Sequence, residues 1–222
     1  MLKHRNEKQI LNLSVEEKNM TLKEVDIAAE EERKMEHSFV NQYAVQVVSS
    51  SYNASDAVSY ARKWAKDRNT AYNSYTSDCT NFVSQAAHAG GISMKKPNTI
   101  KHGITTTTSY WYSKKHKFTG TTGQASYEFD VSTSWIRVGD FYKYAISHGA
   151  TATSYNTLSS LQNNAKPGDI VQLKKDGSWY HSIIITGGSK GNRTYCGHTN
   201  NWKDRSVSKL TGQSAYRIIR FN

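Results

Sequence analysis

The chain has 222 residues, 36% hydrophobic and 11% aromatic, with 29 Lys+Arg against 18 Asp+Glu for a formal net charge of +11. One domain of that size can bury a substantial core, the aromatic share excludes wholesale disorder, and no apolar run approaches the ~20 residues of a membrane helix. Two cysteines, Cys79 and Cys196, exclude a disulfide scaffold and a four-cysteine zinc site.

The charge is uneven. Residues 1–40 hold seven Lys/Arg and nine Asp/Glu, which leaves +13 on the remainder. A basic body favours polyanionic partners without choosing among nucleic acid, anionic membrane and an acidic wall polymer. The N-terminal stretch MLKHRNEKQILNLSVEEKNM lacks the apolar region of a signal peptide, so no export signal is visible here. From Ser14 to about His37 an amphipathic helix is expected, with Ser14 and Glu17 at capping-box spacing. Residues 1–50 therefore read as a helical arm or linker, set apart from a domain over 51–222.

A second helix is expected within 51–69. Asn53 or Ser55 caps it, and Ala57, Tyr60, Ala61, Trp64 and Ala65 form its apolar face. The next helix starts within SDCTNFVSQAAHAGG, placing Cys79, Phe82, Val83 and Ala86 or Ala87 on one side and ending at Gly90-Gly91. Residues 92–134 show no clear period and predict long loops. SWIRVGDFYKYAISHGA predicts a helix in its second half, ending at Gly149. From Lys166 the pattern turns to strands: two runs around the turn dipeptide Asp176-Gly177, a third in RTYCGHT and a fourth in AYRIIRF. This is an α+β chain, helices first and then an antiparallel sheet expected to curl into a half-barrel.

A helix N-terminus favours a thiolate over a thiol, so Cys79 is placed to be a nucleophile with a lowered pKa. A lone helical cysteine more commonly packs as a small hydrophobe, and its partner decides. His181 heads the apolar run SIIIT and is the candidate base. If Thr186 pairs with Arg193, His198 faces His181 across the ladder and Asn200 is a diagonal neighbour, so either could orient the ring. A one-residue error in register would send both to the wrong face. Asp78 is expected to cap the helix through its carboxylate, Asn81 to be structural, and Cys196 to lie near the site, with a Cys79–Cys196 disulfide as a minor alternative.

The stretches DCTNFVSQAAHAGG, SWIRVGDFYKYAISHGA, PGDIVQL…HSIIIT and YCGHTNN resemble the Putative amidase domain family of Gram-positive bacteria. That family is similar in order and plan to papain-like wall hydrolases of the CHAP and NlpC type. The resemblance covers roughly residues 52–222. It implies a papain-like fold, Cys79 as nucleophile, His181 as base, and a polar third member for which His198 leads and Asn200 stays open. It also implies an oxyanion-stabilising side chain ahead of the cysteine, where Tyr72, Asn73 and Tyr75 all qualify. The Cys79 backbone N–H would be the other donor.

The reading is a cysteine hydrolase of amide bonds in peptidoglycan, needing no cofactor or metal. It is expected to be exported or wall-associated, monomeric, in contact with anionic wall polymers and not with nucleic acid. Trp111, Trp135 and Trp202 could stack on sugars, although core packing is commoner for any one of them. Two alternatives are a zinc amidase using His181, His198 and a carboxylate or Cys196, and a non-catalytic basic wall-binding module.

Overall fold

The computed structural model describes residues 52–119 and 125–222, so the arm expected over residues 1–50 lies outside the described residues. Helix α1 (Ala54–Trp64) is capped by Asn53, whose side-chain oxygen accepts the N–H groups of Ser55 at 2.9 Å and Asp56 at 3.2 Å. Helix α2 (Cys79–Ala89) starts on the thiol and ends at Gly90. Both ends follow the expectation from composition.

The segment expected as loops instead holds a three-stranded sheet. Strands β1 (Ile104–Thr105) and β2 (Ser113–Thr119) flank β3 (Ala125–Ser132), with β1 parallel to β3 and β2 antiparallel to it. Its hydrophobic period is hidden because Lys114 to Lys117 are polar throughout. Long lysines pack here by laying ammonium groups over rings: Lys115 Nζ sits 4.3 Å from the Tyr127 ring centre.

Helices α3 (Thr133–Ile136) and α4 (Val138–Ser147) follow, and Gly149, at φ 90°, turns the chain out of α4. Next come β4 (Thr151–Tyr155), helix α5 (Leu158–Asn164), β5 (Ile170–Lys175), β6 (Ser178–Ser189), β7 (Asn192–Gly197), β8 (Trp202–Ser206), a 3-10 turn at Val207–Lys209, and β9 (Ala215–Arg220). The β5–β6 turn has Asp176 at φ 50° and Gly177 at φ 82°, the paired left-handed conformations of a two-residue hairpin. The sheet runs β4-β9-β5-β6-β7-β8 and is antiparallel throughout.

Both faces of this sheet are covered. Ile170, Ile184, Cys196 and Ile219 pack against Ala57, Ala61, Phe82, Val83 and Phe141 of α1, α2 and α4. The alternate residues Val171, Leu173, Ile183, Ile185 and Ile218 pack with Leu161 of α5 and with Val207 and Leu210. Strand residues at odd and even positions thus enter two different cores. Among the described residues, no helix is long and apolar enough to cross a membrane.

Candidate active site

Cys79 is the first residue of α2 and only 6% exposed. Its sulfur lies 3.8 Å from the Thr80 hydroxyl, and the backbone N–H of Ser182 on β6 hydrogen-bonds to it. Thr80 Oγ1 meets Ser182 Oγ at 3.1 Å, which seats the first turn of α2 on β6. Burial pushes the Cys79 thiol up, against the hydrogen bonds from Ser182 and Thr80, and the neighbouring Asp78 carboxylate adds to the rise. The helix N-terminus therefore does not deliver the lowered pKa expected from position alone. Desolvation outweighs it.

His181 stands next to Ser182 on β6, and its side chain takes the other face of the strand. It pairs with Leu173 in the β5–β6 register, and Leu173 belongs to the core shared with α5. A Cβ built on Gly197 would sit 3.1 Å from Ile183 Cγ2 and 3.9 Å from His181 Nε2, so the ring leans over Gly197. Burial lowers its pKa from 6.5 to about 4 and keeps the imidazole neutral. No hydrogen bond joins Cys79 to His181 among the described residues; the link between them is the Ser182 backbone.

The expected cross-strand partner is not there. The hairpin pairs Ser189 with Asn192 and Gly188 with Arg193, and a bulge between Ile185 and Gly187 then brings Ile184 opposite Cys196. Extending that register sets His198 opposite Ser182, one residue from the expected place, and so on the helix side of the sheet. There His198 Nδ1 contacts Asp78 Oδ2 at 2.6 Å, Nε2 contacts the Trp64 carbonyl oxygen at 2.8 Å, and the ring stacks on Phe82 with centres 3.9 Å apart. Both ring nitrogens face acceptors belonging to other groups. Asn200 is exposed in the turn between Gly197 and Trp202, beside Thr199 at φ 79° and Asn201 at φ 53°. His198 therefore does not share the His181 face, and among the described residues no hydrogen bond joins Asn200 to His181. The ligand set of a zinc amidase built on His181 and His198 is split across the sheet for the same reason.

Asp78, expected as a cap, makes no side-chain cap bond. Its Oδ1 accepts the Tyr75 backbone N–H at 3.1 Å and Asn81 Nδ2 at 2.7 Å, while Oδ2 meets His198 and, at 3.2 Å, Arg68 Nε. One carboxylate ties together the incoming loop, α2, the end of β7 and the segment after α1. Its only trace in the sequence is an acidic residue directly before the thiol. Asn81 is structural, as expected: its amide nitrogen also donates to the Asn73 carbonyl, and its oxygen accepts Trp135 Nε1 at 2.8 Å.

Among the residues considered for the oxyanion, Tyr72 stacks on Trp135 at 5.7 Å, and Tyr75 is hydrogen-bonded by the Asn73 side chain and pushed by burial up to about 12. Cys196 and Cys79 are both free thiols, and Cys196 Sγ accepts the Asp204 N–H at 3.4 Å. Trp111 and Trp135 are buried in the core at 1% and 0% exposure, so neither offers a face to a sugar. Trp202 is half-buried with the Arg205 guanidinium 3.6 Å over its ring.

Residues 51–220 match the model of the Putative amidase domain. The chain is also 28% identical, over 176 residues, to an uncharacterized protein of Bacillus subtilis (strain 168), YhbB. That alignment takes in 76% of this chain and 50% of the relative, so the chain spans about half the length of that protein. No solved structure matches. The family match encloses both sheets and all the helices described above, together with Cys79, His181 and Asp78, and its name denotes amide hydrolysis. By that match the chain belongs to the Putative amidase domain family.

Proposed function

We propose that the chain hydrolyses amide bonds of bacterial peptidoglycan with Cys79 as nucleophile and His181 as base, on a plan related to papain-like wall hydrolases. The observation that carries the reading is the seating of Cys79 at a buried helix start, its sulfur held by the N–H of the residue that follows a neutral, desolvated His181. A neutral imidazole and a protonated thiol, joined through one backbone residue, are a base and an acid in their correct starting forms.

In the proposed cycle the His181 ring leaves the face it shares with Leu173 and comes round to the thiol, takes the Cys79 proton, and the sulfur attacks the amide carbon. The carbonyl oxygen gains the charge and is met by the Cys79 backbone N–H at the head of α2. The C–N bond then breaks as the imidazolium returns the proton to the departing amine. Water, deprotonated by His181, cleaves the thioester to release the acid and restore the thiol. The +13 borne outside residues 1–40 supports a role in an anionic wall, and export to that wall is part of the proposal.

The test is release of amines from purified peptidoglycan by wild type and by Cys79→Ala and His181→Ala. Both substitutions are expected to abolish it, with mass spectrometry of the wild-type fragments naming the bond. Full activity in Cys79→Ala overturns the mechanism.

A further inference from the structure

The small sheet carries a second cluster of reactive groups, separate from the thiol. His116 on β2 stands directly opposite Glu128 on β3, Asp130 lies two residues along the same face, and His102 reaches in from the loop before β1. The two imidazoles are oriented alike. Nδ1 of His102 is 3.2 Å from Asp130 Oδ1, and Nδ1 of His116 is 3.1 Å from Asp130 Oδ2. Both Nε2 atoms turn to one oxygen, Glu128 Oε2, at 2.7 Å from His102 and 3.7 Å from His116. Asp130 is 6% exposed and is itself held by the Gly103 N–H at 2.8 Å.

A neutral imidazole has one N–H and one lone pair. If Asp130 accepts both Nδ1–H groups, each Nε2 presents its lone pair to the same carboxylate oxygen. Three electron-rich atoms then converge, an arrangement relieved by a proton on one ring or by a metal cation that all three ligate at once. One ligand atom from each of His102, His116 and Glu128 falls within 4.8 Å of the others. Zinc with bonds of ~2.0–2.2 Å to nitrogen and oxygen needs such atoms roughly 3.4 Å apart, so small side-chain movements complete the geometry. Asp130 then plays the part of the carboxylate that orients a metal-bound histidine, here for two rings at once.

We propose that His102, His116 and Glu128 bind one divalent transition-metal ion, zinc in the first instance, with Asp130 as the positioning residue and a fourth position open to water. The site joins the loop before β1 to the β2–β3 hairpin. The same hairpin reaches the segment leading to α2, where Lys115 Nζ donates to the Thr70 carbonyl at 2.6 Å. It is independent of the thiol chemistry.

The test uses the full chain, stripped of metal with a chelator and titrated with zinc sulfate by calorimetry, with cobalt absorbance as a second readout. One ion per chain is expected, with the intense visible bands of four-coordinate cobalt. His102→Ala, on a ring 68% exposed and therefore harmless to folding, is expected to weaken binding by more than about 10-fold. Asp130→Asn is expected to weaken it by about 10- to 100-fold while keeping the cobalt spectrum. Cys79→Ala is expected to bind as wild type does. Absence of stoichiometric binding overturns the proposal, as does binding unchanged in His102→Ala or lost in Cys79→Ala.

Discussion

Asp78 and His198 meet in a contact closed to solvent, Oδ2 against Nδ1 at 2.6 Å, with the carboxylate 0% and the imidazole 1% exposed. The residue immediately before the thiol thereby ties the start of α2 to the end of β7. This holds Cys79 in place from one side, while Thr80 and Ser182 hold it from the other.

Removing that carboxylate strands several partners at once. Asp78→Ala leaves His198 and Arg68 without their shared acceptor and takes from the Asn81 amide one of its two acceptors. The expected loss is about 3–5 kcal/mol of unfolding free energy, read from urea denaturation. A loss below about 1 kcal/mol would show that the buried network contributes little.

The thiol titrates late. Burial places Cys79 above its ordinary value of 9.0, so alkylation by iodoacetamide is expected to be slow at neutral pH and still accelerating above pH 9. Cys196 is also pushed up by burial, so rates are compared between wild type and Cys196→Ser, which isolates Cys79. A rate that levels off below pH 8 contradicts the desolvated thiol.

His181 makes stability depend on acidity, and the sign follows from its depressed value. The unfolded chain takes up the proton first, so the contribution of the neutral ring is complete above pH 6.5 and is lost as pH falls from there towards 4. The loss approaches something on the order of 3 kcal/mol across that window. His181→Gln has no such proton to exclude. Urea midpoints at pH 7.5 and 4.5 are therefore expected to differ less in the variant than in wild type, and equal differences contradict the assignment.

Gly168, at φ 91°, precedes β5 where it passes the start of α1. A Cβ there would lie 2.5 Å from Ala54 Cβ. Gly168→Ala combines left-handed strain with a clash against a helix that cannot move alone, at a cost of about 1–3 kcal/mol. Thermal denaturation is the check, and an unchanged midpoint refutes the close approach.

Local chemistry was readable along the chain because it depends on near neighbours in sequence. Asn53 before α1, Gly91 after α2 and Asp176-Gly177 between β5 and β6 all signal through side-chain hydrogen bonds or backbone freedom spanning a few residues. The β2–β3 hairpin carried no such signal. Lys115 occupies a position that alternation would reserve for an apolar residue, and the ring of Phe129 opposite it and of Tyr127 diagonal to it supply the contact.

The sequence by itself determined that a helix begins on Cys79, that His181 heads a buried strand, and that both belong to a mixed α+β domain. Only the tertiary structure decided which side chains share a face. A single bulge between Ile185 and Gly187 shifts the β6–β7 register by one residue, and in a strand with a period of two that carries His198 from the His181 face to Asp78. Burial is likewise a sum over distant segments. It sets the Cys79 thiol above its ordinary value, against what its place at a helix start would indicate, and the His181 ring below its own.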